Sequence, residues 1–186
     1  IQGTNLVRDT WFLGGVLRHN VRNLDSFVQF SNTRYAFERT DKFSFRVVVW
    51  FTDNSPATGR MLICGNLDFT ISGFGIFLDL NVDNANSVRF VLRHTFQTNE
   101  IDIRSAGGIT LTNGWNDIIV TYNGNSLASG VNVYVNSIRV VMAVTFDSLS
   151  LTTVSNIAWE LGKAGNIDLP ATAPTARPGR KDFQQN

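Results

Sequence analysis

The chain is short of most of what would announce a chemistry. Its 186 residues hold one cysteine, Cys64, inside the apolar run "MLICG". A disulfide within the chain is therefore excluded, and so is a cysteine-based zinc site. Cys64 reads as a small buried hydrophobe. Two histidines, His19 and His94, lie far apart and in no metal-ligand spacing. There is no Gly-x-Ser-x-Gly elbow and no phosphate-cradling loop. No apolar run approaches the roughly 20 residues of a membrane-spanning helix, and no signal peptide is visible. The first residue is Ile1 rather than Met, which suits a processed product or part of a longer polypeptide. Sixteen Lys and Arg against 15 Asp and Glu leave a net charge of +1. That balance points away from nucleic acid and from insertion into or adhesion to an acidic membrane.

What is present is a strand-and-turn composition. There are 14 phenylalanines, and Val, Thr, Ser and Asn are plentiful. "FSFRVVVWF" (Phe43 to Phe51) alternates strictly, with Phe43, Phe45, Val47, Val49 and Phe51 on one face. "SFVQF", "RMLICG", "GFGIFLDL", "VRFVLRHTF", "EIDIRS", "WNDIIVTYNG", "VNVYVNSIRVVMAV" and "NIAWELG" supply further strands between Asn, Asp and Gly turns. The turn "QTN" makes a hairpin of the strands on either side of it. No helical period of useful length appears, nor any internal repeat. These signals predict an all-β sandwich or barrel. Residues 1–20 read as a first strand or an arm, broken at Gly14-Gly15. Residues 168–186 carry three of the four prolines together with Arg177, Arg180 and Lys181. They read as an extended basic tail for docking on a partner, or as a disordered terminus.

Between these ends, about residues 21–167 resemble a known superfamily. "DSFVQFSNTRYAFERTDKFSFRVVVWF" resembles the opening of a concanavalin A-like, laminin-G-like domain. "LTNGWNDIIVTYNGNSLASGVNVYVNSIRV" is similar to that family's "G-x-W-x-x-[IV]-x-V-T-Y-[DN]-G" strand and turn, followed by "G-[VI]-x-[VLI]-Y-V-[ND]-[GS]". "IAWELGKAG" resembles its closing strand. Two departures stand out. Asn116 follows Trp115 where His is common, and Ser137 stands where Gly is usual. The resemblance implies a two-sheet antiparallel jelly-roll sandwich. It also looks most like copies found in tailed-phage structural proteins and bacterial surface proteins. The implied setting is a virion or an extracellular surface, with virion or surface-assembly proteins as partners and homo-oligomers allowed.

The superfamily includes glycosidases, so "TNEIDIRS" (Thr98 to Ser105) needs weighing. Those enzymes carry acids as Glu-x-Asp-x-x-Glu or Glu-x-Asp-x-Glu. One acid attacks the sugar and another protonates the leaving oxygen, about 5–5.5 Å apart in retaining enzymes. Glu100 and Asp102 match the first two positions, but Arg104 and Ser105 stand where the third acid belongs. Arginine cannot give up a proton at working pH. The strand therefore reads as non-catalytic, a surface-facing row of Glu100, Asp102 and Arg104 above a core pair, Ile101 and Ile103.

Glycan binding needs aromatic faces flanked by polar groups. The outward candidates are Arg46, Trp50, Arg89, Arg93, Glu100, Asp102, Arg104 and Tyr134, with Asn132 and Asn136 beside them. They form one lectin-like face if their strands share a sheet; otherwise they are a solvated surface. Trp115, at the head of an apolar strand, reads as a core aromatic. No cofactor is required. "DLNVDNANS" offers Asp79, Asn81, Asp83 and Asn84 as oxygen ligands for calcium, although a hairpin turn explains the same residues. The leading expectation is a non-enzymatic, lectin-like virion or surface module that binds glycans. Behind it stand a purely structural decoration or adaptor protein and, last, a divergent glycosidase.

Overall fold

The structure is a computed structural model. It describes residues 4–7, 10–13, 16–19, 27–30, 36–51, 59–67, 72–82, 85–107, 109, 111 and 114–164. The described residues are all-β. In chain order the strands are β1 (Thr4–Val7), β2 (Thr10–Leu13), β3 (Val16–His19), β4 (Phe27–Phe30), β5 (Phe43–Phe51), β6 (Gly59–Gly65) and β7 (Gly73–Val82). They continue with β8 (Ala85–Thr95), β9 (Asn99–Ser105), β10 (Gly114–Tyr122), β11 (Val131–Val135), β12 (Ile138–Val140), β13 (Met142–Asp147) and β14 (Trp159–Ala164). A 3-10 turn, Ala128–Gly130, precedes β11.

Two antiparallel sheets form a sandwich. The larger has eight strands in the order β1-β4-β14-β6-β7-β8-β9-β13, and the smaller four, β12-β11-β10-β5. The segment read as a first strand or arm holds β1, which pairs with β4, and the small hairpin β2-β3 on either side of Gly14-Gly15. The run "VNVYVNSIRVVMAV" is three strands rather than one. Asn136 and Ser137 both take positive φ, 50° and 67°, and turn β11 back along β12. At Val141 the chain then leaves the smaller sheet, and β13 joins the edge of the larger one.

The phenylalanines explain how the sheets adhere. Strand alternation sends Phe43 and Phe45 of β5 inward, where they meet Phe74 of β7, Phe90 of β8 and Trp159 of β14. Phe45 stacks on Phe74 with ring centroids 4.7 Å apart and on Trp159 at 5.3 Å. Such contacts add about 0.5–1.5 kcal/mol per pair beyond area burial. Ile118, Val120 and Val133 of the smaller sheet and Ile101 and Ile103 of the larger complete this core. Cys64 lies within it, as expected.

Candidate functional site

The predicted glycan face divides into two groups on opposite sides of the sandwich. Arg46, Trp50 and Tyr134 lie on the smaller sheet, in β5 and β11, whereas Arg89, Arg93, Glu100, Asp102 and Arg104 lie on the larger, in β8 and β9. Arg46 and Tyr134, like Arg89, Arg93, Glu100, Asp102 and Arg104, sit on the face of their sheet turned away from the shared core.

The second group is not the solvated surface that its alternation suggests. Arg89, Arg93, Glu100 and Asp102 are all buried, and only Arg104 of the five is part-exposed. The larger sheet is covered on both faces at β8 and β9, where Leu62, Leu67 and Val91 form a second small core beside the charges. Cross-strand pairing makes the burial tolerable. Register places Arg93 directly opposite Glu100, and the Arg93 guanidinium donates from Nε to Glu100 Oε2. The other carboxylate oxygen of Glu100 accepts the backbone N–H of Gln97 at 3.0 Å. The Arg93 guanidinium also lies over the Phe96 ring, 4.7 Å from its centroid. Arg89 reaches diagonally to Asp102. Its Nε donates to Oδ1 at 2.7 Å and its Nη2 to Oδ2, a two-pronged grip. Burial lowers the Arg93 pKa from its ordinary value, and the charge of Glu100 opposes that shift.

This arrangement changes what Glu100 and Asp102 can do. A glycosidase acid must reach a sugar, and one member of the pair must hold a proton. Both carboxylates are instead buried and held by guanidinium groups. A substrate would have to displace those arginines and the covering chain.

The first group sits on an open face. Outward positions alternate along β5, β10 and β11, and the register aligns them in rows. Ser44 lies beside Thr121 and then Asn132; Arg46 lies beside Ile119, Tyr134 and Arg139. Val48 pairs with Asp117, and Trp50 with Trp115. Arg46 Nε donates to both oxygens of Asp117, at 3.0 and 3.1 Å, and this bond raises the arginine's pKa. Arg139 donates to Asn132 Oδ1 at 2.7 Å. Asn136, offered above as part of this face, is occupied in the fold. Its side chain accepts the backbone N–H of Asp117 and donates to Asn116 Oδ1.

Trp115 corrects the reading of it as a core aromatic. It is 49% exposed on this outer face. The core side of β10 begins instead with Asn116, fully buried, whose amide donates to Gly114 O at 3.1 Å. The polar Asn116 disguised the phase of the strand. The signal that could have found Trp115 was its register opposite Trp50, which needs strand pairing and not alternation alone.

Of the calcium candidates, Asp79 and Asn81 fall inside β7, so they are not loop residues. Asp83 and Asn84 lie outside the described residues, as do Arg177, Arg180 and Lys181 of the tail. Among the described residues no group of three or more His, Cys, Asp or Glu is placed to hold a metal, and no helix is long and apolar enough to cross a membrane. No protein-family model matches the chain, and no curated protein matches it.

Proposed function

We propose that the chain is a non-enzymatic, concanavalin A-like jelly-roll module whose outer four-stranded face binds glycans at a virion or cell surface. The observation that carries this reading is Trp115. A large indole, half exposed on a sheet face, offers a flat apolar surface to sugar C–H groups. Along the same face the sheet lines up Asp117, two positions from Trp115, then Arg46 and Tyr134 level with Ile119, and Asn132 level with Thr121, a row of carboxylate, guanidinium, hydroxyl and amide groups leading away from the indole. That mixture is what a sugar, apolar on one face and rich in hydroxyls at its edges, requires. The non-enzymatic part is supported by the burial and ion pairing of Glu100 and Asp102. The surface setting rests on the resemblance of the "GWNDIIVTYNG" and "GVNVYVNS" blocks to laminin-G-like domains.

The test is a glycan array probed with the chain and with Trp115→Ala and Tyr134→Ala. Binding to a defined set of sugars that either change abolishes, with the fold intact by circular dichroism, is the expected result. No binding to any glycan, or binding indifferent to both changes, would overturn the reading. Turnover of a glycan by the natural chain, abolished in a Glu100→Gln variant that circular dichroism shows to be folded, would overturn its non-enzymatic part.

A further inference from the structure

We infer, on the glycan reading of the smaller sheet, that its β12 end grips the carboxylate of an acidic sugar through Arg139. The class of ligand is then an oligosaccharide with a neutral ring on Trp115 and a carboxylated ring farther along the face.

Charge on the smaller sheet is sparse. In its four strands the ionic residues are Arg46 of β5, Asp117 of β10 and Arg139 of β12. Arg46 donates to both oxygens of Asp117, so these two offset each other. Arg139 has no carboxylate partner among the described residues. It is exposed, and its Nη2 donates to Asn132 Oδ1 at 2.7 Å. An amide oxygen holds a guanidinium in place without neutralising it. The rest of the planar fork of N–H donors stays available, and that fork matches both oxygens of a carboxylate at once. The face thus keeps one uncompensated positive charge at a fixed place.

That place lies over the sheet. Val140 packs against the core, so its neighbour Arg139 turns to the other side of β12, the outer face. The bond to Asn132 draws the guanidinium across β11 rather than past the edge strand. Tyr134 pairs directly with Arg139, and its hydroxyl can serve the same sugar. Arg139 is level with Ile119, four residues along β10 from Trp115 and two strands across from it. At about 3.4 Å per residue and about 4.8 Å per strand, Trp115 and Arg139 are about 17 Å apart. A single sugar ring does not cover that span, whereas an oligosaccharide does. Asp117, two positions from Trp115 and already paired, offers a carboxylate nothing at the indole end.

The experiment is calorimetric titration of the full chain with matched oligosaccharides. One pair is a xylo-oligosaccharide with and without a glucuronate branch, and the other a lacto-oligosaccharide with and without a terminal sialate. The two pairs separate the two sources of carboxylate. The acidic member of at least one pair should bind about tenfold or more tighter than its neutral counterpart, as a charge-assisted hydrogen bond allows. Added salt should shrink that ratio. Arg139→Gln should bring the ratio close to one, and Arg139→Lys should keep only part of it, because an ammonium lacks the fork. Asp117→Asn, which releases Arg46, should raise it. Melting curves establish that the variants fold. Equal binding of acidic and neutral members, lost in Trp115→Ala, would leave the glycan face standing and overturn the role of Arg139 alone. A preference unmoved by Arg139→Gln would overturn that role as well. No binding of any of the four sugars, or of any glycan on the array, would overturn the face together with it.

Discussion

Arg93 and Glu100 face each other across β8 and β9 with neither side chain reaching solvent. Removing one partner leaves a buried charge without compensation, which costs about 3–5 kcal/mol. Glu100→Gln is expected to lower the stability of the fold by that order. Replacing both, as Arg93→Met with Glu100→Leu, should recover most of the loss, because well-fitted apolar pairs often match a buried ion pair. Recovery stops short of complete, since the Gln97 N–H loses its acceptor. Urea unfolding of Arg93→Met, Glu100→Leu and the double variant measures the coupling. A double-variant loss equal to the sum of the two single losses would show that the charges are not coupled.

The same substitution should read very differently at two tryptophans. Trp159 is 2% exposed and stacks on Phe45 between the sheets. Trp159→Ala is expected to cost about 3–5 kcal/mol. Trp115, half exposed on the outer face, should cost under about 1 kcal/mol, the range of surface substitutions. Thermal melts of both variants check the contrast, and comparable losses would contradict the placement of Trp115.

Two turns make opposite predictions about glycine. Ser137 holds a φ of 67° at the turn between β11 and β12, where a side chain strains the backbone by about 1–2 kcal/mol. Ser137→Gly should stabilise the chain by up to about 1 kcal/mol, since glycine's greater freedom when unfolded offsets part of the relief. Gly124, in contrast, has a φ of 77° and leaves no room. A Cβ there would lie 2.3 Å from the Thr40 carbonyl oxygen. Gly124→Ala should destabilise, and the midpoints of chemical unfolding should move in opposite directions for the two variants.

Cys64 gives the fold a dependence on alkaline pH. Burial pushes its thiol from an ordinary 9.0 up to about 12. The unfolded chain therefore releases this proton first, so the folded state binds more protons between those values. The contribution of Cys64 is fully present below pH 9 and is lost as pH rises from 9 toward about 12, at about 1.4 kcal/mol per pH unit. Cys64→Ala should remove this slope, measured as unfolding free energy against pH in both chains. The native thiol should also resist alkylating reagents at neutral pH until the chain opens.

Alternation alone located the core of β5, where Phe43, Phe45, Val47 and Val49 turn inward, and it correctly assigned Ile101 and Ile103 to the interior. It failed where a strand is buried on both faces. "RFVLR" and "EIDIR" look like half-solvated strands because charge is ordinarily exposed. Whether such charges are neutralised inside depends on which strands become neighbours, and pairing is a property of the sheet rather than of the segment. For the same reason the grouping of Arg46 with Tyr134 held while its extension to Arg89 and Arg93 did not. β5 and β11 flank β10 in one sheet, and β8 lies in the other. Trp115 was hidden by Asn116, a polar residue in a core position that is satisfied by Gly114 and Asn136.

The buried charges bear on how the strands find their alignment. A slip of one residue between β8 and β9 turns ionic groups into the aromatic core, as it would in any sheet. A slip of two keeps Phe90, Leu92, Ile101 and Ile103 on the correct side, so the apolar pattern cannot reject it. The guanidinium groups can. In one direction that slip puts Arg93 beside Asp102 and carries Arg89 past the end of β9. In the other it puts Arg89 beside Asp102 and leaves Glu100 facing Val91. Neither misalignment keeps both native pairings, Arg93 opposite Glu100 and Arg89 diagonal to Asp102. Arg89 and Arg93 thus serve as the teeth of a key, excluding the frame shifts to which oily side chains are blind.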